Sequence, residues 1–181
     1  MKKKVLSIVA VVLVLCCAIG GTLAWLTDKT GPVVNTFTVG DINIELAESE
    51  NLDLKMVPGN TITKDPFITV KANSEKCWLF VKVVKSATYS DFLDDYKMAA
   101  GWTALTGEEG VYYQVVDAST ANQVFEVLLN NQVTVKGTVT KAQMEGIKNN
   151  TAAAPTLTFT AYAVQFDNVA TAADAWTKAN A

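Results

Sequence analysis

The sequence predicts an all-β fold, a jelly-roll-like antiparallel β-sandwich with short helices, preceded by a signal peptide. After the first 25 residues the chain is rich in Val, Thr, Ile, Phe, Tyr and Trp, which suit a pleated sheet. Short apolar runs alternate with turn signals along most of the chain, as in sandwiches built from many short strands. Residues 156–165 alternate inward and outward positions, which is typical of a strand with one buried face.

The first 25 residues have the build of a secretory signal peptide. Three lysines at positions 2–4 precede an apolar run over residues 5–18 that only Ser7 interrupts, and small residues follow it. Small side chains at −3 and −1 favour cleavage after Ala24, and cleavage after Trp25 is the neighbouring alternative. We therefore expect residues 1–25 to be removed and the protein to be exported.

Two other uses of this segment remain as alternatives. Residues 5–27 carry no charge, and about 20 apolar residues span a bilayer, so an uncleaved anchor is conceivable. Lipid attachment at Cys16 or Cys17 is not favoured, because a lipobox needs a small residue before the cysteine and Leu15 precedes Cys16.

Composition limits the partners of the exported chain. Three of the 15 basic residues lie at positions 2–4, which leaves 12 lysines against 18 acidic residues and a net charge of −6. An acidic chain without arginine argues against nucleic-acid binding, which needs a basic patch for the phosphates. Only Cys77 remains after position 25, so no intramolecular disulfide can form, and an apolar core or association must stabilise the fold.

In the first half of the chain, residues 77–84 form a nearly continuous apolar run, which predicts a central strand covered on both sides. Ser90 is predicted to cap a short helix that reaches Tyr96. Residues 36–46 change the parity of their apolar positions near Gly40, which predicts a strand with a β-bulge. Further strands are predicted at residues 61–64, 67–72, 102–105, 111–116, 124–129 and 132–135.

The last forty residues are predicted to form one strand and one helix. Residues 140–147 are compatible with a helical turn or a loop, and residues 149–155 form a loop. Residues 156–165 form a strand. Residues 171–181 form a short helix, with Thr171 and Asp174 resembling a capping box and Trp176 anchoring the helix.

The sequence contains no assembled catalytic centre. Histidine is absent, which excludes Ser-His-Asp triads, Cys-His pairs and histidine-based zinc sites. The adjacent carboxylates at 94–95 and 108–109 diverge on either a helix or a strand, so we interpret them as surface charges. We predict no catalytic residue, no cofactor and no metal ligand.

Three weaker candidates have a structural alternative that we prefer. An acidic cluster at positions 91, 94 and 95 offers oxygen ligands for calcium, but helix capping explains it better. Cys77 lies in an apolar strand and is expected to be buried and inert. The aromatic side chains are expected to pack in the core rather than line a ligand groove.

Several phrases of the sequence resemble the TasA/camelysin family of secreted Gram-positive surface and biofilm-matrix proteins. They are residues 20–28 and 35–42 around the signal junction, 57–59 and 64–66, and 161–165 and 175–176 near the end. The resemblance implies a jelly-roll-like sandwich, export through a dedicated signal peptidase, and a place at the cell surface or in the extracellular matrix. Camelysin is classed as a metallopeptidase, but this chain has no histidine and no zinc-protease signature to which that activity could be transferred.

In TasA-like members the N-terminal segment of one subunit adds a strand to the next. The resemblance therefore implies filaments formed by self-association, with a donor strand here at residues 26–38. The predicted polymerisation residues are Leu26, Val33, Val34 and Phe37. Other matrix or surface proteins are further candidate partners.

We accordingly predict three parts: a signal peptide at 1–25, an extended N-terminal segment at 26–38 and a β-sandwich domain at 39–181. The predicted function is a structural subunit of secreted filaments. The alternatives are a monomeric surface module that binds a glycan or a protein, and a camelysin-like secreted peptidase.

Overall fold

The computed structural model describes residues 40–49 and 54–181, all within the unit Val39–Ala181. The predicted signal peptide, its cleavage site and the segment at 26–38 lie outside these residues, so the proposed division into three parts stays a prediction. The described chain consists mainly of antiparallel sheets with a few short helices, and the predicted all-β fold class is confirmed.

The described residues form nine strands in three antiparallel sheets. The strands are β1 (Ile44–Ala47), β2 (Thr61–Thr63), β3 (Phe67–Val70), β4 (Cys77–Lys85), β5 (Thr103–Ala104), β6 (Val111–Val116), β7 (Gln123–Glu126), β8 (Gln132–Thr134) and β9 (Leu157–Gln165). One sheet has the order β1-β3-β7, a second pairs β2 with β8, and the third has the order β5-β6-β4-β9. Each strand in these sheets runs antiparallel to its neighbours.

Strand β4 is the centre of the fold, as its apolar sequence predicts. Its odd-numbered side chains face the β1-β3-β7 sheet, where Ile68, Val70 and Val127 complete a fully buried cluster. On its other face, Trp78 and Phe80 are covered by the C-terminal helix. A strand that is buried on both faces cannot alternate in polarity, which explains the continuous apolar run.

Three α-helices are present in the described chain: α1 (Tyr89–Phe92), α2 (Lys141–Asn149) and α3 (Ala172–Ala179). Short 3₁₀ turns occupy Leu129–Asn131 and Thr151–Ala153. The segment that the sequence left open between a turn and a loop is therefore a helix. It begins with a complete capping box, in which Thr140 Oγ1 accepts from the backbone N–H of Gln143 at 3.3 Å.

The predicted role of Ser90 as an N-cap is wrong. Helix α1 begins at Tyr89 and ends at Phe92, before the predicted end at Tyr96, and its N-cap is Thr88, two residues before Ser90, which makes no side-chain capping bond. Burial fixes this turn instead, because Tyr89 is fully buried and its hydroxyl donates to the carbonyl oxygen of Asp94 at 3.1 Å. Capping preference was overridden here by packing against the cluster around Ile62 and Val135.

Strand β1 is shorter than predicted. Residues 41–43 belong to no strand, although the backbone is held there, because Glu75 N donates to Asp41 O at 3.0 Å and Lys71 N donates to Asn43 O at 2.8 Å. The part of the prediction at 36–39 lies outside the described residues. The switch of the apolar positions from odd to even numbers near Gly40 therefore lies before β1 begins, and not at a bulge within a paired strand.

Helix α3 follows the prediction closely. Thr171 caps it, since its Oγ1 accepts from Asp174 N at 3.1 Å. Trp176 is 3% exposed, and its ring centroid lies 5.4 Å from that of Phe80 and 5.1 Å from that of Tyr162. The helix therefore closes the outer face of the sheet around β4.

We expect Trp176→Ala to lower the free energy of unfolding by about 3–5 kcal/mol, since it removes a buried aromatic side chain and leaves a cavity. Lys178→Ala on the same helix, at an exposed position, should change it by about 0.5 kcal/mol or less. Urea unfolding of both variants measures the difference. Equal destabilisation would show that α3 does not hold the face of β4.

Two glycines in the β5–β6 hairpin provide a matched test of close packing. Gly107 and Gly110 both have positive φ, but a Cβ at Gly110 would lie 2.3 Å from the carbonyl oxygen of Val83, whereas nothing lies within 4 Å at Gly107. We expect Gly107→Ala to cost about 1 kcal/mol for the backbone conformation. Gly110→Ala should cost about 1–3 kcal/mol more because β4 must shift. Similar thermal unfolding of the two variants would contradict this packing.

Candidate functional site

The acidic residues in the described chain form no assembled centre. Asp95 makes a salt bridge with Lys85 at 3.1 Å, and its side chain is 83% exposed. Within residues 40–49 and 54–181 no group of three or more His, Cys, Asp or Glu is placed to hold a metal ion. Helix capping, the explanation preferred for the cluster at 91, 94 and 95, is wrong for two of its members, because only Asp91 lies in the first turn of α1 while Asp94 and Asp95 lie beyond its end at Phe92.

Cys77 is fully buried on β4, as expected from its apolar neighbours. Burial raises the pKa of its thiol from 9.0 to about 11. The side chain is therefore a protonated thiol at neutral pH, which is a poor nucleophile and a poor partner for cross-linking.

The described aromatic side chains divide between the core and the surface, because Tyr96 and Tyr112 line a surface hollow of about 460 Å³. Trp78 and Phe80 belong to the core, and Trp78 Nε1 donates to the carbonyl oxygen of Val169 at 3.2 Å. A cavity of about 270 Å³ lies elsewhere, between β2, β8 and the start of β9, and Ile62, Leu93 and Leu157 line it. That volume is below the range usual for small-molecule sites, whereas the hollow beside Tyr96 and Tyr112 lies within that range.

One side of the sandwich is closed by hydrogen bonds that cross between its sheets. Trp102 Nε1, beside β5, donates to the carbonyl oxygen of Glu126 on β7 at 2.8 Å. The chain just before Trp102 also pairs with the end of β7, since Ala99 N donates to Val127 O at 3.0 Å. No sequence pattern indicated these contacts, because they join residues that are distant along the chain.

The opposite side of the sandwich, which we call the open side, is formed by β1 and β9. Each of these strands pairs with one neighbour only among the described residues, β1 with β3 and β9 with β4. Their inward side chains are half-buried, unlike those in the middle of the sandwich. These are Ile42, Ile44, Leu46, Leu157, Phe159, Ala161 and Ala163. On the open side, β1 and β9 thus lie close together without backbone hydrogen bonds between them, so edge groups without a partner among the described residues occur beside half-buried apolar side chains.

The described chain begins beside the open side. Asn43 N donates to Ser74 Oγ at 3.2 Å, and a Cβ on Gly40 would lie 2.9 Å from Glu75 Cγ, so residues 40–43 lie against the turn between β3 and β4. Everything before residue 40 is attached at this point. The site residues that the sequence predicted lie outside the described residues: Ala24, Trp25, Leu26, Val33, Val34 and Phe37.

Comparison with known families now bears on this arrangement. The sequence profile of the family described as camelysin metallo-endopeptidase matches residues 1–75. The resemblance to the TasA/camelysin family is confirmed. The match runs from residue 1, across the predicted signal peptide, through β1, β2 and β3, and it covers less than half of the chain. No curated protein and no solved structure matches the chain.

Two further observations concern the properties expected of camelysin-type proteins. The metallo-endopeptidase description implies a metal ion, but this chain has no histidine, its described carboxylates are not grouped, and Cys77 is buried. These residues do not fit a peptidase metal centre. In the described part of the chain, no helix has the length and apolar character needed to cross a membrane.

The raised pKa of Cys77 predicts a specific loss of stability in base. Above pH 9 the unfolded chain loses the thiol proton while the folded chain keeps it, so stability falls as pH rises from about 9 to about 11. By pH 10 this loss should reach about 1.4 kcal/mol. The measurement is the difference in unfolding free energy between wild type and Cys77→Ala at pH 8 and at pH 10. A difference that does not change with pH would contradict the burial of this thiol.

Proposed function

We propose that this protein is a secreted structural subunit that assembles into cell-surface or biofilm-matrix filaments. In this proposal the N-terminal segment of one copy, residues 26–38, adds as a strand to the sandwich of another. The observation that carries the proposal is the open side, where strand edges without a partner among the described residues occur together with half-buried apolar side chains. The family match over residues 1–75 supports the same type of protein.

The sequence of the N-terminal segment is suited to this role. In an extended strand, Val33, Asn35 and Phe37 point to one face, and Val34, Thr36 and Thr38 point to the other. One face therefore carries Val33 and Phe37 as apolar anchors, and the other is largely β-branched and polar. Strand addition derives its affinity from main-chain hydrogen bonds and its register from such alternate side chains.

The proposal also agrees with the chemistry of the described residues, which contain no histidine and no grouped metal ligands. A filament subunit needs neither a general base nor a metal ion, and it needs stable edges that can pair between copies. Among the described residues the one cysteine, Cys77, is buried, so in the folded domain it is not placed to form a disulfide with another subunit.

Deletion of residues 26–38 should leave a folded domain that forms no filaments, because the strand donor is lost while the core around β4 is intact. The protein is purified after export, its N-terminus is determined by mass spectrometry, and filaments are scored by negative-stain electron microscopy. Circular dichroism checks that the deletion variant is folded.

A matched pair of variants separates the sequence of the segment from its mere presence. Val33→Ser with Phe37→Ser should reduce filament formation strongly, since both anchors of one face are removed. Thr36→Ser with Thr38→Ser alters the other face and should leave filaments intact. Normal filaments from the deletion variant, or none from wild type over a range of pH and salt, would refute the proposed function.

A further inference from the structure

Apolar side chains and lysines meet in a hollow beside helix α2, and we infer that this hollow binds a single-chain amphiphile with an anionic head group. The inference does not depend on the proposed function, since it concerns the surface of one folded domain and not a contact between copies. It follows from the shape of the hollow, from the exposure of the side chains around it and from the charges at one of its ends.

The site consists of two adjoining depressions. The first is the cavity of about 270 Å³ between β2, β8 and the start of β9, and Met56 lines it together with Leu54. The second has a volume of about 440 Å³ and lies between Met56 and helix α2, where Met144 and Ile147 line it. Because Met56 lines both, the two depressions form one site, which we call the α2 hollow. Methionine side chains adapt readily to the shape of a neighbour, so Met56 can move aside for an alkyl chain.

The α2 hollow lies on a buried apolar cluster that α2 covers only loosely. The cluster consists of Ile62, Tyr89, Phe92, Leu93, Val135 and Val139. Met144 and Ile147 pack against it, but both stay half-buried, and no residue of α2 is buried. A helix on the surface of a domain normally buries the apolar stripe that faces the core. The loose cover therefore leaves apolar surface that a ligand can bury.

The segment that carries Met56 exposes further apolar surface. Leu54 is 52% exposed and Val57 is 40% exposed, and these two residues flank Met56 in the sequence. Exposed apolar side chains that adjoin one another mark a binding surface more often than single ones do. An alkyl chain in the α2 hollow would remove the surface of Leu54 and Met56 from water, which stabilises the complex.

The end of the hollow at α2 is basic. Lys55, Lys141 and Lys148 line this end, and Glu145 is the one carboxylate among the described residues that line it. Lys141 lies 3.7 Å from Glu145, on the next turn of the helix. Three lysines beside one carboxylate contrast with the chain after position 25, which has 12 lysines and 18 acidic residues. The surplus of positive charge is complementary to an anionic head group.

The opposite end lacks such a surplus, which sets the orientation of the ligand. Lys64 lines the first depression, but both carboxylate oxygens of Glu48 lie 2.7 Å from its Nζ. The side chain of Lys64 is 17% exposed, so a close partner neutralises its charge in a mostly buried position. The alkyl chain therefore extends past Met56 toward Leu157, and the head group stays among the lysines of α2.

The shape of the site favours a single molecule over a membrane surface. Helices that bind membranes turn their apolar face outward, where it enters the boundary of the bilayer. In α2 the apolar residues Met144 and Ile147 pack against the cluster around Ile62, and the apolar surface lies within a depression. A dissolved amphiphile can enter this depression, whereas a flat bilayer contacts its rim.

Methionine methyl NMR tests the inference on the exported protein. Dodecanoate and dodecyl phosphate, each kept below the concentration at which it forms micelles, should shift the methyl signals of Met56 and Met144 in a saturable way. The signal of Met98, which packs against the other cluster around Ile68 and Val127, should stay in place as the internal control. Octanoate should bind more weakly, by about threefold for each CH₂ group that is removed.

The charges of the head group and of the lysines are tested in two matched comparisons. Dodecyltrimethylammonium has the same alkyl chain and a cationic head, and it should bind about tenfold more weakly than dodecanoate. Lys148→Glu should weaken dodecanoate binding by about fivefold, since it turns an attraction into a repulsion. Lys178→Glu is the control, because Lys178 is likewise an exposed lysine in the last turn of a helix, and it should leave binding unchanged. Thermal unfolding checks that both variants are folded, and the comparison of head groups on wild type decides if Lys148→Glu is not.

Each outcome either supports or overturns the inference. Methyl signals of Met56 and Met144 that do not respond, or that move together with that of Met98, would show that the hollow is not a specific site. Equal binding of the cationic and anionic probes would contradict the anionic head group. A response to vesicles of anionic phospholipid, but not to the dissolved amphiphiles, would make a bilayer the occupant and overturn the inference. None of these results bears on filament formation, and a lack of filaments from wild type would overturn only the proposed function.

Discussion

The whole fold depends on the burial of β4 on both faces and its pairing on both edges. Its odd-numbered side chains contact the facing sheet, its even-numbered aromatic side chains contact α3, and its backbone bonds to β6 and β9. No other strand in the described chain is enclosed so completely. Because β4 fixes two layers and two neighbours at once, the positions of the outer strands follow from it, including that of β9 on the open side.

The two sides of the sandwich differ in the hydrogen bonds that connect its sheets. One side is joined by a side chain of one sheet bonding to the backbone of the other, through Trp102 and Glu126. The other side has β1 and β9 as unpaired edges among the described residues. The two sides of the described domain therefore differ in their hydrogen bonding, and the proposed strand addition would use the side without cross-sheet hydrogen bonds.

Patterns among neighbouring residues correctly predicted those strands and helices whose buried positions follow from their own sequence. The apolar run of β4, the alternation of β9 and the capping of α3 by Thr171 could all be read from neighbouring residues. Long-range contacts decided the rest. Tyr89, not Ser90, fixes α1 because of its burial, and the pairing of β7 with β3 and of β8 with β2 joins segments far apart in sequence. The open side could not be foreseen, since the edge of a sheet is known only when its pairings are known.

The pairing of β4 with β9 has a consequence for how the chain matures. Cys77 pairs with Gln165, so the central strand has neither its second neighbour nor its helical cover until almost the last residues are synthesised. Long-range pairing of this kind makes folding slow relative to helical proteins of the same size. An incomplete chain therefore cannot close the core around β4 until β9 and α3 have been synthesised.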